Sequence, residues 1–379
     1  MFDHTVNFIK SLYGDNFIPL HEPRFVGNEK KYLNECIDST FVSSVGKYVD
    51  QFEKMLCEYT GSNFAVATMN GTAALHMSLI LADVKANDEV ITQALTFVAT
   101  ANAISYLDAH PIFLDSANDN LGLCPDDLEQ FLELNVEVKS DGFAYNKSTG
   151  RRIKACVPMH TFGHPVKLDE ILVICKRYNI FVIEDAAESI GSMYKQKHTG
   201  TIAPIGVMSF NGNKTITSGG GGALLIQDEQ LALKAKYLTT TAKVSHKWEY
   251  YHDEIGYNYR LPNLNAALAC AQLENLPAFI VNKVETAKLY KSFFSSQNIN
   301  FLQQPRLCES NYWLNAVILE DKGRRDQFLE VLNSNNIMTR PIWELMPNLP
   351  MFKDCQKSKL INAHRYQETV VNIPSSVRL

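Results

Sequence analysis

Between about residues 60 and 230, short unbroken apolar runs alternate with longer stretches of mixed polarity. The runs are rich in Val, Ile and Ala, a pattern that suits strands buried on both faces better than strands with one wet face. They predict strands at Phe64–Thr68, Glu89–Thr92, Pro111–Leu114, Lys154–Pro158, Ile180–Glu184, Val207–Phe210 and Ala223–Ile226. Helices are predicted between them at Thr72–Ala82, Ala99–Ala109, Pro125–Leu134 and Leu168–Arg177. Such alternation predicts an α/β layered fold, with a sheet covered by helices on both faces.

Residues 135–153 break the rhythm. They are polar, carry Gly and Asn turn signals, and read as a surface excursion that could form a hairpin. From about Gly256 the pattern changes again. Leu264–Leu273 and Ala278–Phe294 are predicted as two helices, followed by a strand at Trp313–Leu319 and a helix at Arg325–Asn333. This divides the chain into an N-terminal segment with a large α/β domain, 1–255, and a small α+β domain, 256–379.

Composition narrows the functional classes. At 379 residues the chain can bury a core without disulfides or a structural metal. The net charge of -5 and the scattered Lys and Arg, with Arg151-Arg152 only a local pair, argue against nucleic acid or an anionic membrane as partner. No run of about 18 apolar residues predicts a membrane span, and the opening MFDHTVNFIKSLYG lacks an export signal. The eight cysteines (Cys36, Cys57, Cys124, Cys156, Cys175, Cys270, Cys308, Cys355) include no CxxC pair and match no zinc spacing. The expectation is a cytoplasmic chain with reduced thiols and no metal.

Four segments at strand ends carry candidate chemistry. Met69-Asn70-Gly71-Thr72-Ala73 ends a strand and opens a helix, where free N–H groups, the helix dipole and the Thr72 hydroxyl suit a phosphate. Taken alone it also fits an ordinary helix cap. Phe97, in Thr96-Phe97-Val98-Ala99-Thr100, follows another strand and could stack on a planar ring or simply fill the core. In Phe181-Val182-Ile183-Glu184-Asp185-Ala186-Ala187-Glu188, strand alternation sends Glu184 and Asp185 to opposite faces. Asp185 could hold a protonated ring nitrogen, keeping it charged, or cap a helix. Lys214 closes Ser209-Phe210-Asn211-Gly212-Asn213-Lys214 and precedes the four-glycine turn Gly219–Gly222. An amine in an apolar enclosure loses solvation of its charged form and becomes a nucleophile; beside glycines it could equally be a solvated loop residue. The lysine does not follow the last glycine, so the run is not a nucleotide P-loop.

Phosphate loop, ring stacker, acid and amine, in that chain order, resemble the fold-type-I pyridoxal 5′-phosphate (PLP) enzymes. The motifs NGTAALH, TFVATANAI, EDAAES, SFNGNK, GGGGAL and GYNYRLPNLNAALACAQL resemble the DegT/DnrJ-type sugar aminotransferases over nearly the whole chain. VSSVGKYVDQFE, PMHTFGHPVKLD and SFNGNKTITSGGGG look closest to the LegC-type branch. The resemblance implies an aspartate-aminotransferase-like fold with a mostly parallel central sheet. It implies that Lys214 links to the cofactor aldehyde and later moves protons, that Asp185 pairs with the ring nitrogen and that Phe97 stacks on the ring. Gly71, Thr72 and Ser209 would bind phosphate. Glu188 would lie near the ring hydroxyl, where a carboxylate needs a shared proton. Asn258, in Gly256-Tyr257-Asn258-Tyr259-Arg260, would reach the neighbouring subunit's phosphate, so a homodimer with shared sites is expected.

L-glutamate is the implied donor. The implied acceptor is a nucleotide-linked keto sugar, C4 of a UDP-linked 4-keto-6-deoxy-N-acetylhexosamine, on a route to a bacillosamine- or legionaminic-acid-type glycan. Ser43, Ser44, His160 and Trp313 are candidate substrate contacts, with Arg340 and Trp343 as further ones; His160 fits a capped or buried histidine as well, and Trp313, Arg340 and Trp343 fit packing or a solvated salt bridge better. A related sugar dehydratase is disfavoured because those relatives commonly replace the lysine with histidine. A non-catalytic PLP regulator lacks support from any helix-turn-helix or basic patch, and a GDP- or dTDP-linked or 3-keto sugar remains an alternative substrate.

Overall fold

The computed structural model describes residues 2–378. Its main sheet has seven strands: β1 (Phe64–Thr68), β2 (Glu89–Gln93), β3 (His110–Leu114), β4 (Ile153–Val157), β5 (Phe181–Asp185), β6 (Ile205–Ser209) and β7 (Gly222–Ile226). They are ordered β1-β7-β6-β5-β4-β2-β3. β7 runs antiparallel to both neighbours, and the β6–β5, β5–β4, β4–β2 and β2–β3 pairs are parallel. This is the mixed, mostly parallel sheet of PLP fold type I. Every predicted strand is present, with ends moved by one or two residues.

The unbroken apolar runs reflect burial on both faces. Along β7, Ala223 and Leu225 enter one core with Phe52 and Ala269. Leu224 and Ile226 enter another with Leu75 and Ala235. These partners come from α3 (Lys47–Thr60) and α9 (Asn263–Ser296) on one side, and from α4 (Gly71–Leu81) and α8 (Glu229–Thr239) on the other. Each fully buried Leu or Ile contributes roughly 1.5–3 kcal/mol, so the two layers fix the strand ends firmly.

The polar excursion is a hairpin of Val136–Val138 and Ala144–Asn146. Asn146 pins it by donating 2.8 Å to the buried Glu89 carboxylate of β2. The two helices predicted after Leu264 form one, α9, with Pro277 inside it. An internal proline costs a helix roughly 3 kcal/mol, but burial on both sides of it sustains the helix. Ala266, Cys270 and Leu273 pack into the large-domain core, and Tyr290 and Phe294 into the small one. By length and apolar content α9 could cross a membrane, and half of its most apolar window is buried inside the protein.

The small unit holds a four-stranded antiparallel sheet, Asn300–Phe301, Asn315–Ile318, Val370–Ile373 and Arg340–Pro341 in that order. Against it lie α10 (Lys322–Ser334) and α11 (Ile361–Thr369). The first helix packs here, while Cys36 of the next helix joins the large-domain core. Phe2, and Val6 and Ile9 of α1 (Asp3–Tyr13), share a core with Tyr290, Phe328 and Val371. Their apolar stripe is visible in sequence, but its partners lie some 280 or more positions away, which no local pattern reveals.

Candidate active site

A cavity of about 660 Å³ lies between the carboxyl ends of the central strands and the small unit. Ligands of open α/β sheets bind outside strand carboxyl ends, and each main candidate arrives there from such an end. At the end of β1, Asn70 caps α4 by accepting from the Ala73 N–H at 2.8 Å. That leaves Gly71 and Thr72 on the first turn, lining the cavity. A Cβ at position 71 would come within 2.9 Å of the Ser209 Cβ. Only glycine lets β6 and the helix start close around one small cradle, with a hydroxyl on each side.

Asp185 ends β5. Its Oδ2 accepts from the Thr100 hydroxyl at 2.7 Å and its Oδ1 from the Ala187 N–H at 3.2 Å. It is buried and makes no ion pair among the described residues. Burial raises its pKa, opposed by the Thr100 and Ala187 donors. A buried carboxylate lacking a cation suits a ligand that carries one.

Lys214 lies on the same floor. Its Nζ is 3.3 Å from Glu188 Oε1 and 4.0 Å from the centre of the Trp313 ring. The Trp313 indole N–H donates to the Asn213 carbonyl at 2.7 Å, fixing ring and lysine segment together. Glu188 Oε2 accepts from the Phe162 N–H at 2.9 Å. Burial pushes the Glu188 pKa up to about 7, and the Lys214 charge opposes this. Phe97 stands half-exposed at the mouth, edge-on to Trp343. The small unit supplies the facing wall through Trp313, Arg340, Trp343 and Asn372. A phosphate cradle, an unpaired buried carboxylate and a primary amine with a carboxyl beside it fit PLP.

Four predicted residues do not reach this cavity within one chain. His160 is fully buried behind it, and here the structure corrects the expectation. Its Nδ1 accepts from the Val166 N–H, which leaves Nε2 to donate to Glu184 Oε2 at 3.1 Å. Glu184, on the face opposite Asp185, also accepts the N–H groups of Gly200, Ile202 and Ala203. The pair is a strut under the sheet, with no polar atom left for substrate. Ser44 lines a separate cavity of about 200 Å³ with Arg260. The Ser43 carbonyl accepts from the Asn263 N–H, and Asn258 accepts from the Arg260 guanidinium at 2.9 Å. Two residues escaped the sequence reading. Thr100 sits one turn beyond Phe97, inside a motif already singled out, so its spacing was available. Asn372 has no local signal.

The chain belongs to the DegT/DnrJ/EryC1/StrS aminotransferase family, whose family model matches residues 23–379. It is a PLP-dependent aminotransferase with sugar-aminotransferase homologues. It is 37% identical over 342 residues to a GDP-perosamine synthase of Escherichia coli O157:H7, covering 89% of this chain and 88% of that one. A GDP-perosamine synthase of Vibrio cholerae is 33% identical over 361 residues, 94% of each chain. Among solved structures, Helicobacter pylori PseC, an aminotransferase involved in pseudoaminic acid biosynthesis, superposes with a TM-score of 0.85. It is 23% identical, and the match covers 95% of this chain and 94% of that one.

Proposed function

We propose that this enzyme moves an amino group from L-glutamate to the keto carbon of a nucleotide-linked sugar, in two half-reactions that share one cavity. The observation that carries the reading is the Lys214 amine, held 3.3 Å from a buried carboxyl and 4.0 Å from the Trp313 ring centre on the same cavity floor as Asp185.

When bound, PLP supplies an aldehyde carbon to carry the migrating amine and a ring that accepts electrons. The chain's residues do the rest. The α4 start, Thr72 and Ser209 hold the phosphate. Asp185 keeps a proton on the ring nitrogen, its Oδ2 oriented by Thr100. Phe97 covers one ring face. Lys214 Nζ would move one proton in each half-reaction, from the donor's Cα to the cofactor in the first and from the cofactor to the acceptor carbon in the second. Glu188, its pKa pushed up to about 7 by burial, can hold a proton near neutral pH and so limit repulsion with the ring hydroxyl. Asn258 reaches the partner's phosphate in a homodimer, which accounts for its distance from this chain's own cavity.

For the acceptor, the motif resemblance favours C4 of a UDP-linked 4-keto-6-deoxy-N-acetylhexosamine. A GDP-linked keto sugar is the second reading, favoured by the GDP-perosamine synthase relatives. The test is a panel of UDP-, GDP- and dTDP-linked 4-keto and 3-keto sugars with glutamate, scored by product mass. Amination of the UDP sugar alone supports the first reading, amination of the GDP sugar alone supports the second, and no amination of any sugar removes the assignment. Loss of the yellow colour of holoenzyme on adding glutamate tests the donor separately.

A further inference from the structure

Trp313 belongs to the cavity wall, yet it is anchored to the floor. It is 5% exposed. Its backbone N–H donates to Asn311 Oδ1 at 2.8 Å. Asn311 is itself fully buried, and its amide donates to the carbonyls of Glu188 and Ile190, each at 2.9 Å. The Trp313 carbonyl accepts from Lys283 Nζ of α9 at 3.2 Å, and the same amine donates to the Ser375 carbonyl at 2.5 Å. The indole N–H donates to the carbonyl of Asn213, the residue before Lys214. Three polar groups of one side chain and its backbone are thus bonded to three different segments, and a satisfied buried network of this kind fixes the ring in one orientation. That orientation places the Lys214 amine 4.0 Å from the ring centre, while Glu188 Oε1 stands 3.3 Å from the same nitrogen. The face of an indole carries negative potential and attracts an ammonium, more strongly where water is excluded.

We propose that Trp313 is a positioning residue for the Lys214 amine, holding it against the indole face in every interval when it is not bonded to the cofactor. This rests on the role given to Lys214 above and adds a partner to it. Each half-reaction frees the amine and later needs it back, and between those events the same nitrogen moves the proton. Lysine is a point charge on a flexible four-carbon stem, and a small misplacement of a reacting group is costly to rate. Glu188 restrains the free amine by one hydrogen bond, and the indole face restrains it by a second contact. A residue acting on the amine serves both substrates alike. A wall aromatic that stacks on a sugar would serve only one.

The test compares Trp313→Phe, which keeps a ring face but loses the indole N–H, with Trp313→Leu, which loses both. The first readout is the rate at which cofactor-free full-length protein captures added pyridoxal 5′-phosphate, followed as the yellow colour. The second is the single-turnover rate of each half-reaction. One series adds glutamate to the yellow form. The other adds the UDP-linked 4-keto-6-deoxy-N-acetylhexosamine, or a GDP-linked 4-keto sugar if the panel above selects it, to enzyme preloaded with pyridoxamine 5′-phosphate. W313L should be slowed about tenfold in capture and in both half-reactions, and W313F no more than about threefold, the scale of a desolvated cation–π contact and of its partial retention by Phe. Unchanged W313L rates overturn the proposal. Equal losses in the two variants also overturn it, because the shared defect is then the lost bond to Asn213. A W313L defect confined to the keto-sugar half overturns it as well and reassigns the ring to the sugar. Should W313L fail to fold, a crystal structure of the wild-type enzyme loaded with pyridoxamine 5′-phosphate decides. Lys214 Nζ within about 6 Å of the Trp313 ring centre supports the platform, and an amine turned away from the ring overturns it. Borohydride trapping of the cofactor on a lysine other than Lys214 removes the role of Lys214 itself, whereas trapping on Lys214 with unchanged W313L rates removes only the platform.

Discussion

The two sides of the cavity differ in how their side chains get there. The floor is built at strand ends of one sheet: Asn70–Thr72 after β1, Asp185 closing β5, Ser209 closing β6, and Lys214 five residues on. Each is fixed by hydrogen-bonded backbone on either side and by two layers of core beneath. The facing wall comes from a separate small sheet, which carries Arg340 and Asn372, and from the segments flanking its strands, which carry Trp313 and Trp343. The floor holds the parts every turnover needs, whichever substrate is present. Under the proposed function, the wall faces both substrates in turn.

That contrast can be broken by measuring the two half-reactions separately. Floor substitutions should damage both. Lys214→Ala should have the largest effect, at least about 10³-fold in each half-reaction, since proton transfer by a positioned base is worth about 10²–10⁴-fold. Borohydride should then no longer fix the cofactor to a peptide carrying residue 214. Retained yellow colour and borohydride trapping in this variant would remove the amine assignment. Asp185→Asn keeps the shape but removes the anion. It should slow both half-reactions about 100-fold, for roughly 2.7 kcal/mol of lost stabilisation, and a defect in only one would break the comparison. Thr100→Val deletes a single hydrogen bond to Asp185. About tenfold in both half-reactions is expected, from roughly 1.4 kcal/mol for a bond to a charged group.

The smallest effect is on stability and is read from cofactor-free protein. Burial raises the Glu188 pKa from the ordinary 4.5 to about 7. The native chain therefore binds this proton more tightly than the unfolded chain does. The associated stability is complete below pH 4.5 and is lost as pH rises through about 7. Glu188→Gln does not titrate, so its melting temperature should fall less than wild type's between pH 5 and pH 8. The difference should be a few degrees by calorimetry, and equal slopes would show that Glu188 is not a buried proton holder.

How much could be read from sequence follows the same division. The strands and the floor were legible because apolar run, turn and polar residue are contiguous in the chain. Gly71, Asp185 and Lys214 each follow their own strand. Pro277 misled the reading of α9, because a local helix-breaking signal is overridden by burial on both of its sides. His160 was open to two readings, a pocket wall or a buried histidine. Its position just past β4 is that of a ligand contact, and only the tertiary contact with Glu184 turns it into a strut. Asn372 could not be found at all, since a lone asparagine in an apolar strand carries no signal until Arg340 is placed beside it.

The docking of α1 against Tyr290, Phe328 and Val371 has a consequence for biosynthesis. α1 is made before its partners in this hydrophobic layer, which lie some 280 or more positions further along the chain. During translation Val6 and Ile9 stay without their partners while the central sheet can already assemble. A charge placed in this layer, as in Ile9→Asp, should therefore trap chains with a finished sheet and an open small unit, with Tyr290 and Phe294 left uncovered.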